Sequence, residues 1–171
     1  RRAGAEGGGE AGASGINDIW GLRGDPQMAR VAAESGAACC LMHNRKEAVY
    51  EDFMREVAAD LMASVETARE AGVRDDRIIL DPGVGFAKSY AQNLEVIARL
   101  EELACLGFPV LLGTSRKSVI GKTLDLPADQ RLEGTLVTTV YAAQKGCAFV
   151  RVHDVKENLR AIQMTKALMR G

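Results

Sequence analysis

Five short apolar runs in this chain each end on residues able to do chemistry. "GINDI" (15–19) carries Asn17 and Asp18, "LMHN" (41–44) carries His43 and Asn44, and "RIILDPGVGFAKS" (77–89) reaches Asp81. "LLGTSRKS" (111–118) ends in Thr114, Ser115, Arg116, Lys117 and Ser118, and "VRVHD" (150–154) carries Arg151, His153 and Asp154. Asp81 closes a run of isoleucine and leucine, where a carboxylate must be paired or hydrogen-bonded. A planar heterocycle with adjacent N–H groups suits it, because a carboxylate accepts two parallel hydrogen bonds. Asn17 offers a donor and an acceptor to the same kind of ring, and Gly83 and Gly85 let backbone approach a flat ligand. The alternative is that Asp81 caps the turn from Pro82 to Gly85.

Arg116 and Lys117 add positive charge where a run hands over to a helix. Ser118 is placed to cap that helix, whose N-terminal amides form a natural anion site, and an arginine can also stack on a flat ring. Arg151 and His153 alternate with Val152, so they point to one side of a strand and suit a phosphate. The alternatives are a surface ion pair of Arg151 with Asp154 and a core histidine at His153. His43 either orients its loop or touches substrate, and loop orientation is the favoured reading. Met42 packs against a ligand plane or the core.

The elements that must position these residues alternate. Helical periodicity follows each apolar run: from Pro26, with proline suited to the first turn; over Glu47 to about Ala71, with Val49, Phe53, Val57, Leu61 and Val65 on one face; over Tyr90 to Leu106; in a short helix and then Asp129 to Lys145; and over Val155 to about Met169. Strands apolar along their whole length indicate a parallel sheet covered on both sides by helices. An open doubly wound sheet and a (β/α)8 barrel both fit, and in both the C-terminal strand ends converge on the ligand site. No G-x-G-x-x-G turn follows the first run. Five units in 171 residues suit five-eighths of a barrel that needs about 250 residues.

Residues 1–12 are glycine-rich and read as a linker or a helix remnant, with 13–171 as the barrel part. The 22 basic residues nearly balance the 23 acidic ones, so no electrostatic footprint for nucleic acid or an anionic membrane is present. No apolar run approaches the roughly 20 residues of a membrane span. Cys39, Cys40, Cys105 and Cys147 lack metal-site spacing, and packing, as reduced thiols in a cytosol, is the expectation for all four.

Taken in order and spacing, "GINDI", "LMHN", "ILDPGVGFAKS", "LLGTSRKSVIG" and "VRVHDV" resemble the dihydropteroate synthase family of bacterial folate biosynthesis. The resemblance implies an α/β fold, a partial (β/α)8 barrel of about five C-terminal βα units. It implies condensation of 6-hydroxymethyl-7,8-dihydropterin diphosphate with p-aminobenzoate, releasing diphosphate. Carried over by motif, Asn17, Asp81, Lys117 and Arg151 bind the pterin, and Asp81, Lys117 and Arg151 act in catalysis. Arg151 and His153 take the diphosphate, while Ser118, Phe86, Gly85 and Arg116 form the p-aminobenzoate pocket. The family's magnesium and a cytoplasmic homodimer are implied as well. The family's first three strands have no counterpart, so an N-terminal truncation is expected and the magnesium ligand lies outside this chain. Rival readings are a methyltetrahydrofolate-type methyltransferase, a non-catalytic pterin-binding fragment and a generic phosphate-binding barrel.

Overall fold

A computed structural model of the chain describes residues 14–25 and 27–171. The glycine-rich 1–12 segment and the expected first-turn proline, Pro26, lie outside the described residues. The chain divides into two compact units, one ending at Gly83 and one running from Val84 to Gly171.

In the first unit, β1 (Gly15–Asp18), β2 (Ala38–Met42) and β3 (Ile78–Asp81) form a three-stranded parallel sheet, with β2 in the middle. Helix α1 (Met28–Ser35) joins β1 to β2, and α2 (Phe53–Glu70) leads toward β3. The core is built from Leu41, Met42, Val57, Leu61, Val65, Ile78 and Leu80, all at most 1% exposed. Helix α2 starts at Phe53 rather than at the expected Glu47. Asp52 takes the N-cap position and accepts from Arg55 N–H at 3.4 Å. Glu56 reaches back to accept from the N–H groups of Glu51 and Asp52 at 2.7 and 2.9 Å, so the first turn is closed from outside. Val49 therefore lies before the helix and is 69% exposed, while Phe53, Val57, Leu61 and Val65 form the buried stripe.

In the second unit, β4 (Leu111–Leu112) and β5 (Phe149–Val150) pair in parallel, shorter than the apolar runs 108–115 and 148–154 suggest. The expected helix over 90–106 is two pieces, α3 (Tyr90–Ala98) and α4 (Leu100–Ala104), because Arg99 leaves helical geometry at φ −110° and ψ 29°. Each piece buries its own apolar side chains: Val96 and Ile97 in α3, Leu100 and Leu103 in α4. Helix α5 spans Ser118–Leu124, α6 spans Leu132–Gln144 and α7 spans Val155–Arg170. The stretch 128–130 is a separate 3-10 turn, so α6 begins three residues later than expected. Buried Thr139 on α6 donates to Asn158 Oδ1 on α7 at 2.6 Å, a satisfied polar pair inside the helix contact.

Cys39 and Cys40 are buried, whereas Cys105 is exposed and Cys147 half-buried. The packing expectation thus fails at Cys105, which lies just after α4, beyond the buried Leu103. Burial pushes the Cys39 and Cys147 thiols up to about 11.

Candidate functional site

Strand register decides which polar residues of the first unit share a face. Asn17 pairs with Cys40, Cys40 with Ile79, and Met42 with Asp81. Partners across a parallel ladder lie on one face and residues two apart return to it. Asn17, Cys40, Ile79, Met42 and Asp81 therefore occupy one side of the sheet, and Asp18, Leu41 and Leu80 the other. Asn17 is exposed. Asp81 is 1% exposed, and its Oδ1 accepts from Gly83 N–H at 2.8 Å. One carboxylate oxygen thus caps the Pro82–Gly85 turn. His43 N–H donates to the Asp81 carbonyl at 2.9 Å, and the His43 carbonyl oxygen fills the space where a Gly83 Cβ would stand. Only glycine fits there, at φ +68°.

Asp18 serves a turn: its Oδ2 accepts from Leu22 N–H at 2.7 Å, with Leu22 left-handed at φ +65°. His43 is buried, and its Nε2 lies 3.1 Å from Asp60 Oδ2. A carboxylate only accepts, so Nε2 carries the hydrogen. Asp60 also accepts from Arg45 Nε at 2.6 Å, with Arg23 at 3.7 Å. Burial pushes the Asp60 carboxyl up, but Arg45, with His43 and Arg23, more than offsets this and holds it below the usual range.

In the second unit, Lys117, Arg151 and His153 line one cleft of about 160 Å³ with Gly113, Ser115 and Val152. Arg151 N–H donates to Leu112 O at 2.9 Å, and its guanidinium lies 2.8 Å from where a Gly113 Cβ would be. The His153 ring Nδ1 bonds to the buried Ser115 hydroxyl at 2.9 Å. Lys117 Nζ donates to the Val84 carbonyl and lies 5.2 Å from the Phe86 ring centroid, while its stem passes 3.6 Å from a Cβ position on Gly85. Gly85 itself is left-handed at φ +84°, and its N–H donates to Asn93 Oδ1 at 2.6 Å.

Arg116 and Ser118 stand apart from that cleft's lining. Arg116 forms a two-pronged pair with Asp154, at 2.7 and 3.3 Å, so the Arg151–Asp154 pair weighed from sequence gives way to Arg116–Asp154. That carboxylate raises the Arg116 guanidinium pKa. Ser118 is exposed and is the first residue of α5, with Lys117 in the N-cap position and no side-chain cap. The capping role read from sequence therefore does not hold.

Three supporting residues escape a reading by motif. Buried Asn93 holds Gly85 while its amide donates to Lys88 O and Ser89 O at 3.1 and 2.7 Å. Its signal is a polar residue at 93 on the stripe 93, 96, 97 and 100. Asp60 supports His43 from α2, and Arg131 donates to the Arg116 carbonyl at 2.8 Å. Neither has a local sequence signal.

Parallel strands that hand over to helices at polar residues, with a cationic cleft at two strand ends, define an α/β domain of enzyme type. Residues 2–153 match the family described as "Pterin binding enzyme", and the chain belongs to that family. It is 54% identical over 162 residues to a dihydropteroate synthase of Clostridium beijerinckii, covering 94% of this chain and 60% of that protein. It is 54% identical over 160 residues to the Bacillus subtilis dihydropteroate synthase, covering 94% of this chain and 56% of that one. A crystal structure of the Clostridium difficile dihydropteroate synthase in the presence of pteroic acid matches with a TM-score of 0.97 at 48% identity, covering 100% of this chain and 65% of that one. The Thermus thermophilus enzyme in complex with 6HMPPP matches at 0.93 and 39% identity, covering 98% and 67%. The fold class is therefore α/β, part of a (β/α)8 barrel, as the five βα units imply. The chain spans about 60% of the length of the curated relatives it matches.

Proposed function

We propose that this chain carries pterin- and p-aminobenzoate-binding residues of a dihydropteroate synthase. The observation that supports this most is the buried Asp81 carboxylate at the end of β3, on one sheet face with Asn17. Asp81 and Asn17 hold the N–H and acceptor edge of the pterin, and Lys117 donates to its polar edge. In the reaction the p-aminobenzoate amine nitrogen attacks the pterin methylene carbon. The C–O bond to diphosphate breaks, diphosphate leaves with the bond pair, and the amine loses a proton. Asp81 stabilises the positive charge that grows on the pterin as diphosphate departs, a fixed charge in a dry site. Arg151 and His153 receive the negative charge on the leaving group, and the Ser115 hydroxyl orients the His153 ring. Ser118, Phe86, Gly85 and Arg116 serve p-aminobenzoate.

The described residues bring together no group of three His, Cys, Asp or Glu side chains able to hold a metal. Magnesium would enter with the diphosphate and neutralise its charge. Exposed Val137 on α6 and Leu159, Met164 and Leu168 on α7 support a homodimer through these helices, in the cytoplasm. No described helix is long and apolar enough to cross a membrane. The test is incubation of the chain with 6-hydroxymethyl-7,8-dihydropterin diphosphate and p-aminobenzoate. Matched release of diphosphate and 7,8-dihydropteroate, absent in Asp81→Ala, is expected. A folded chain that releases neither would refute the catalytic reading.

A further inference from the structure

Arg116 stands left-handed at φ +58°, a conformation disfavoured about tenfold or more for a residue with a Cβ. It is the third residue of a turn closed by Lys117 N–H to Thr114 O at 3.0 Å, the position where a type II turn favours glycine. Both of its backbone polar groups are held from the start of α6. Its N–H donates to Thr135 Oγ1 at 3.2 Å, and its carbonyl accepts from Arg131 Nη1 at 2.8 Å. The fully buried Thr135 hydroxyl donates in turn to the Arg131 carbonyl at 2.8 Å, and Arg131 Nε donates to Leu126 O at 2.9 Å. Gly121 makes room for this fork, since a Cβ there would lie 2.2 Å from Arg131 Nη2.

Strain of this kind persists only where the surroundings over-determine it, and it gathers at functional sites. We propose that Arg131 is a positioning residue, which holds Arg116 left-handed and thereby sets the direction of Lys117 and Ser118. The inference deepens the function proposed above, on which it depends only for what the loop binds. A lysine at 131 keeps the charge and loses the planar fork that spans two carbonyls.

The test compares Arg131→Lys in the unsubstituted chain and in an Arg116→Gly background, by amide hydrogen exchange at residues 116 and 117. A tenfold or greater loss of protection at these two amides is expected, with Thr139 and Ala142 in α6 unchanged. In the glycine background the same substitution is expected to change protection by less than about threefold, because glycine adopts φ > 0 unaided. An unchanged loop, a loss spread evenly along α6, or the full loss in the glycine background would each overturn the inference. Titration with 6-hydroxymethyl-7,8-dihydropterin diphosphate, whose pterin edge Lys117 takes, runs alongside, and Arg131→Lys is expected to weaken binding about tenfold. Unweakened binding despite lost protection would also overturn it. No binding of the pterin diphosphate by the unsubstituted chain, with the exchange pattern intact, would support the turn assignment and count against the proposed function.

Discussion

Replacing Gly83 by alanine is the sharpest test of how the turn after β3 holds Asp81. The new methyl would stand 2.0 Å from the His43 carbonyl oxygen, where ordinary contact begins near 3.4 Å, at a residue with φ +68°. The left-handed conformation alone costs alanine about 1 kcal/mol. Relieving the overlap moves His43 or the turn by about 1 Å in a close-packed site. That shift weakens the His43 N–H to Asp81 O bond, about 1 kcal/mol, and the Gly83 N–H to carboxylate bond, about 1.5–3 kcal/mol. Together these give a loss of about 3.5–5 kcal/mol. Gly36 is the control in the same unit: it too is left-handed, at φ +63°, but a Cβ there meets nothing within 4 Å. Gly36→Ala should therefore cost only about 1 kcal/mol. Trp20, the single tryptophan, reports unfolding of this unit by fluorescence in urea. Equal losses for the two substitutions would refute the claim that His43 and Gly83 interlock around Asp81.

Two further outcomes follow from the supporting residues. Asp60 titrates below the ordinary Asp range when folded, so it stabilises above about pH 3.9, and that contribution is lost as pH falls through its folded value. Denaturant melts between pH 6 and pH 3 should show a steeper loss for the unsubstituted chain than for Asp60→Asn; parallel curves would contradict the pairing with Arg45 and His43. Asn93→Leu leaves the Gly85 N–H without its acceptor and should cost about 1–3 kcal/mol. Its first sign should be faster amide exchange at Gly85, with the α4 amides unaffected.

Much of the fold was legible because apolar runs and helical periods are local. The β3 run ending on Asp81 and the stripe Phe53, Val57, Leu61 and Val65 follow from spacing alone. What escaped was set by partners distant in sequence. The start of α2 depends on Glu56 reaching back to residues 51 and 52, and the start of α6 coincides with Arg131 turning to Leu126 and Arg116. Polar strand ends named the candidate residues, yet not their pairings. Arg116 rather than Arg151 takes Asp154, 38 residues away, a choice made by the geometry of a left-handed turn that no periodicity records. The favoured reading of His43, that it orients its loop by hydrogen bonds, rests on a histidine inside an apolar run needing a buried partner; that partner is Asp60, which could not be named from sequence.

The most direct test of the central claim is a calorimetric titration of the chain with 6-hydroxymethyl-7,8-dihydropterin diphosphate, with Asp81→Ala and Lys117→Met alongside. The account predicts micromolar binding, lost with Asp81→Ala and weakened at least tenfold with Lys117→Met. Equal affinity in all three, or no binding by a folded unsubstituted chain, would contradict it.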